Sequence, residues 1–122
     1  MIATETKIYV GLGDGPVGNL NDWYEYDIAS DSWSTLANLP GPPRHHSYMF
    51  NTGCEVFVGL GHNGGTIYAD WYKLDQTSNT WTEKNPFPSE ARVAGTQFSI
   101  NGYGYVLSGD GDNHSFMETG EM

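Results

Sequence analysis

The stretch that decides the fold is Asn21–His45, NDWYEYDIASDSWSTLANLPGPPRH. It is mostly polar, yet it carries two tryptophans and two tyrosines. Rings of that size need an apolar surface that the segment itself does not supply. The rest of the chain explains them. Shifted by 48 residues, the sequence reads ADWYKLDQTSNTWTEKNPFPSEARV, Ala69–Val93, so the segment is one turn of an internal repeat.

The offset of 48 holds without a gap. Tyr9-Val10-Gly11-Leu12-Gly13 falls on Phe57-Val58-Gly59-Leu60-Gly61, and Asp22-Trp23-Tyr24 falls on Asp70-Trp71-Tyr72. Asp27 falls on Asp75 and Trp33 on Trp81. A third copy continues the pattern: Phe50 meets Phe98, Phe57-Val58 meets Tyr105-Val106, and Gly61 meets Gly109. Each period holds four short aromatic or β-branched runs, in the middle copy His46–Phe50, Glu55–Leu60, Trp71–Leu74 and Thr80–Glu83. Turn-forming residues separate them, and no longer segment carries a helical apolar stripe. Four antiparallel strands per repeat describe one blade of a β-propeller. The expected fold is all-β, with blade parts 1–40, 41–88 and 89–122, about two and a half blades in total.

The repeat resembles the kelch family, and most closely the bacterial kelch-like propellers with a D-W-Y-x-x-D…W pattern. The resemblance rests on Gly13, Gly61 and Gly109 at the end of the second strand, Asp22-Trp23-Tyr24 and Asp70-Trp71-Tyr72 in the third, and Trp33 and Trp81 in the fourth. The family's glycine pair is here Gly-Leu-Gly or Leu-Ser-Gly. Packing accounts for these positions. Trp33 and Trp81 are expected to be mostly buried between blades, each indole N–H on a backbone carbonyl, with Tyr72 doing the same through its hydroxyl. Asp27 and Asp75 stand before turns and are expected to accept backbone N–H groups there.

The chain begins inside a repeat. Residues 1–8 offer no counterpart of the first strand, and the third copy diverges in GDGDNHSFMETGEM, where Gly120-Glu121-Met122 aligns with Asn21-Asp22-Trp23 after a loop insertion. The chain therefore reads as a fragment of a larger propeller, with closure of the ring by self-association and an open monomer as the alternatives.

Composition narrows the partners. Five basic against 15 acidic residues give a net charge of -10, which disfavours nucleic acid and anionic membranes. No run of 18 apolar residues exists, so no membrane insertion is expected, and Met1–Val10 has no signal-peptide pattern. Cys54 is the only cysteine, which excludes an internal disulfide and leaves the compartment open, a secreted or cell-surface parent included.

Candidate binding residues are those that depart from the frame or carry charge within it. Arg44 and Arg92 share one position and could line a channel mouth or pair with Asp22 or Asp70. His45 and His46 have Val93 and Ala94 as counterparts. On a strand, adjacent histidines face opposite sides and make poor joint metal ligands. His62, Tyr68 and His114 sit in glycine-rich loops between second and third strands. Asp110-Gly111-Asp112-Asn113-His114 offers oxygen ligands without a full calcium-loop motif. No metal or cofactor is expected. No acid–base or nucleophile constellation stands out, so a non-catalytic module binding protein or glycan leads. Part of a carbohydrate-active kelch-like enzyme and a purely structural repeat are the alternatives. The galactose oxidase copper set has no counterpart around His45, His46, His62 or His114.

Overall fold

The computed structural model describes residues 1–53 and 55–111, all of them strand, turn or loop. The first blade consists of β1 (Ile2–Ala3), β2 (Lys7–Gly11), β5 (Trp23–Asp27) and β6 (Ser32–Thr35), hydrogen-bonded in that order. A hairpin, β3 (Asp14–Gly15) and β4 (Gly18–Asn19), projects between its second and third main strands. The second blade repeats the plan with β7 (Tyr48–Asn51), β8 (Val56–Gly59), β11 (Trp71–Asp75) and β12 (Thr80–Lys84), and the hairpin β9 (His62–Asn63) and β10 (Thr66–Ile67). The third unit begins with β13 (Arg92–Val93), followed by the pair β14 (Thr96–Ile100) and β15 (Tyr103–Leu107). Its β16 (Asp110–Gly111) pairs back with β13. Every strand pairing is antiparallel.

The first blade corrects one expectation. Ile2 pairs with Tyr9 as Phe50 pairs with Phe57, so Ile2–Ala3 supplies the last two residues of a first strand in exact repeat register. Those residues escape a pattern search because two residues carry no alternation to detect.

Backbone conformation repeats as faithfully as sequence. Leu12, Leu60 and Ser108 all have φ between 53° and 61°, and His46 and Ala94 have 53° and 55°. Asp31 and Asn79, at the turns joining third and fourth strands, have 51° and 54°. Non-glycine residues enter this region only where the surroundings hold them. For Leu60 the holding is visible: its N–H donates to the Asp70 carbonyl, and its side chain is fully buried. Just before it, Gly59 lies against the Asp70 carbonyl, 2.3 Å from where a Cβ would stand, so only glycine fits.

The cores lie between blades. Tyr9, Trp23, Val56, Val58, Tyr72 and Leu74 join the first blade to the second. Tyr48, Leu60, Trp71, Phe87 and Val106 join the second to the third. Each such buried side chain contributes about 1.5–3 kcal/mol. The first strands β1, β7 and β14 neighbour one another in series, which places them toward the propeller axis.

Trp81 leans back onto the first blade. Its indole meets Trp23 edge-on at 5.5 Å, and its Nε1–H donates to the Ala37 carbonyl at 2.8 Å. Trp33, in the same repeat position, is 61% exposed, contrary to the expected burial, and among the described residues only Tyr26 stacks on it. Tyr24 is likewise exposed where Tyr72 is buried. The reason is common to both: these positions bury against the preceding blade, and no described residue lies on that side of the first one. The slot matching Trp81's, one repeat on, has no described residue in it. It forms an apolar groove of about 230 Å³ with Phe50, Phe57, Trp71, Phe87 and Val106 on its walls.

Candidate functional site

One end of the second blade gathers most of the side chains that break the repeat. Arg44–His46 runs between two neighbours there. Gly13 N–H donates to the Arg44 carbonyl and Arg44 N–H to the Leu20 carbonyl, tying the segment to the first blade. His45 and His62 exchange both backbone hydrogen bonds at 3.0 Å, tying it to the second. The same frame recurs one blade on, where Gly61 N–H donates to the Arg92 carbonyl and β13 pairs with β16.

The positive φ of His46 overturns the expectation that the adjacent histidines diverge. Strand alternation does not apply through a left-handed residue. The two imidazoles lie 4.5 Å apart, and the His62 ring joins them at 4.1 Å from His45 and 5.4 Å from His46. His45 Nε2 and His62 Nε2 are 2.5 Å apart, and His46 Nδ1 is 3.2 Å from His62 Nε2. Asp14 Oδ2 stands 2.9 Å from His45 Nδ1, a close contact without an aligned hydrogen bond. On the far side of the cluster, His62 Nδ1 is 3.2 Å from the Gly64 carbonyl. His45 and His62 are half-buried and His46 is exposed. Beside His62 opens a cleft of about 230 Å³, walled by Gly64, Gly65, Ile67, Val93 and Asp110.

The other candidates have structural employment. Arg44 is fully buried and grips the Asp70 carboxylate with two nitrogens, Nη2–Oδ2 at 2.7 Å. Its Nη1 also donates to the Leu60 carbonyl, and its guanidinium stacks on Tyr68 at 4.3 Å. Tyr68 is thus the floor under a buried cation rather than an open ring. Tyr72 donates its hydroxyl to Asp70 and not to a backbone carbonyl. Burial first, and the Asp70 charge second, push that hydroxyl up to about 12. Arg92 is also buried, over the Phe87 ring at 4.7 Å, with Nη2 3.4 Å from Ser89 Oγ. Neither arginine is offered to a ligand at a channel mouth. A buried guanidinium needs partners on every side; the frame supplies them for Arg44, whereas Arg92 Nη1 is buried with no hydrogen bond among the described residues. His114 and the end of the Asp110–His114 stretch lie outside the described residues, as does Cys54.

Sequence reasoning passed over Asp14, Asn19 and Gly64. Asn19 Nδ2 donates to the His62 carbonyl at 3.1 Å and so joins the hairpins of neighbouring blades. The repeat did contain a signal: Asp14, His62 and Asp110 are the same position in three successive copies. That position touches the entry of its own blade and of the next.

No family model matches the sequence, and no curated protein matches it significantly. Among solved structures it is similar to YjhT, with 26% identity and a TM-score of 0.73 over 92% of this chain. The match covers 34% of YjhT, so the chain spans about a third of that protein's length. The fold is that of β-propeller blades.

Proposed function

We propose that the chain is part of a kelch-type propeller that acts as a non-catalytic binding module for a protein segment or a glycan. One observation carries this reading. An invariant frame presents different side chains at one end of each blade, where the hairpins β3–β4 and β9–β10 meet the Arg44–His46 entry segment. Variable groups on a rigid scaffold are the usual arrangement for recognition. The cleft beside His62 combines apolar walls from Ile67 and Val93 with imidazole and carboxylate groups, a lining suited to an uncharged polar ligand.

Gly65 provides the test. A side chain added there meets nothing within 4 Å, and its φ is not in the left-handed region. Gly65→Phe should leave the melting temperature unchanged and fill the cleft. Binding to a panel of neutral glycans and extended peptides should fall at least tenfold. Unchanged binding by this variant would move the site elsewhere on the molecule.

Trp33 favours a second property, self-association. Its exposed indole and the open groove of Phe50, Phe57, Trp71 and Phe87 are the two halves of the contact that Trp81 makes within the chain. A second copy offering Trp33 to that groove would make a head-to-tail contact between chains.

A further inference from the structure

We infer that His45, His46 and His62 form a binding site for a late first-row transition metal ion, zinc being the physiological candidate. The three histidines each present a ring nitrogen, and these atoms all lie within 4.8 Å of one another. The surroundings of the cluster determine which nitrogens are bare. The Gly64 carbonyl can only accept, so it holds a proton on His62 Nδ1 and leaves Nε2 with a lone pair. The Asp14 carboxylate beside His45 Nδ1 favours the proton there and bares His45 Nε2, once a small ring rotation aligns the pair. His45 and His62 thus each have a carboxylate or carbonyl behind the ring, the arrangement that orients metal-binding histidines.

The bare nitrogens then converge. His45 Nε2 and His62 Nε2 stand 2.5 Å apart, where two lone pairs repel unless something positive lies between or beside them. Two nitrogens on one tetrahedral zinc, each about 2.0–2.1 Å from the ion, are about 3.3 Å apart. His46 Nδ1 and His62 Nε2 already meet that spacing at 3.2 Å. His45 joins them by a side-chain rotation that opens its separation from His62 to the same spacing. An all-imidazole set suits zinc, copper, nickel or cobalt over magnesium or calcium. Three protein ligands leave a coordination position for water or an exogenous group.

The repeat supplies an internal contrast. The next blade keeps the frame, including the left-handed φ at Ala94, but has Val93, Ala94 and Asp110 at the three positions. Packing therefore does not require imidazoles there. Among the described residues this is the one cluster of its kind.

The experiment is calorimetric titration of the metal-free full chain with Zn²⁺, and with Co²⁺ followed by visible absorption. The expected result is one saturable equivalent with a tetrahedral or five-coordinate cobalt spectrum. His46→Asn should weaken it at least tenfold while the fold survives, because the residue is exposed and asparagine tolerates the left-handed backbone. Asp14→Ala, which removes only the group behind His45, should weaken it about 10–100-fold. Absence of saturable uptake by the wild-type chain, or full uptake by His46→Asn, would overturn the assignment.

Discussion

Trp33 and Trp81 hold one position in the repeat and differ only in what lies behind them. Trp81 has Trp23 and the Ala37 carbonyl; Trp33 has Tyr26 and solvent. Trp81→Ala should therefore cost about 2–4 kcal/mol, a little under a fully buried tryptophan because part of the ring is exposed. Trp33→Ala should cost less than about 1 kcal/mol in the dilute chain. Urea denaturation of the two variants checks the contrast, and equal losses would mean that the blades do not pack as described. The sequence shows that the two residues are equivalent. It does not show that equivalent residues are equally buried, since burial depends on a neighbouring blade that no local pattern encodes. Arg44 makes the same point from the other side. Its kept register told of a constraint, but the choice between an ion pair and a ligand was decided by Asp70 and Tyr68, which converge on it only in three dimensions.

The turns between third and fourth strands are set by one carboxylate each. Asp75 Oδ1 accepts from the N–H groups of Thr77 and Ser78 at 2.8 and 2.9 Å, and Asp27 Oδ1 accepts from Ser30 N–H at 2.9 Å. These hydrogen bonds hold both carboxyls below their ordinary value of 3.8. A depressed folded value means a stabilising contribution that is full above the ordinary value and lost as pH falls through the lower one. The urea midpoint should drop more between about pH 6 and about pH 3 in the wild type than in Asp27→Asn/Asp75→Asn, and identical slopes would leave these turns without a share in acid stability. Such turns are legible in sequence because aspartate, turn residues and a strand on either side lie within ten residues. The His45–His46 pair was not, because its direction hangs on a left-handed φ held by hydrogen bonds from both blades. Alternation is a rule for extended backbone, and it fails where a blade begins.

At the scale of the molecule, the exposed Trp33 and the open groove bounded by Trp71 and Phe87 set an expectation about assembly. Sedimentation equilibrium should show concentration-dependent association at micromolar levels. Trp33→Ser should abolish it without lowering stability, and a monomer across that range would dismiss the head-to-tail contact. The four main strands of a repeat, their order and their spacing were readable because one repeat is a local object; the short β1, the hairpins β3–β4 and β9–β10 in expected loops, and the meeting of those hairpins across blades were not, because two-residue strands carry no pattern and contacts between blades are relations between repeats. The left-handed residue at each blade's entry bears on how such a chain changes over generations. His46 and Ala94 share one backbone geometry, and alanine already satisfies it. Duplication thus separates two duties that a single-copy protein must combine: one copy keeps the hinge of the frame with a methyl group, while its twin carries an imidazole on the same backbone. In a propeller of this kind the place to look for blade-specific chemistry is wherever one blade's entry differs from the next.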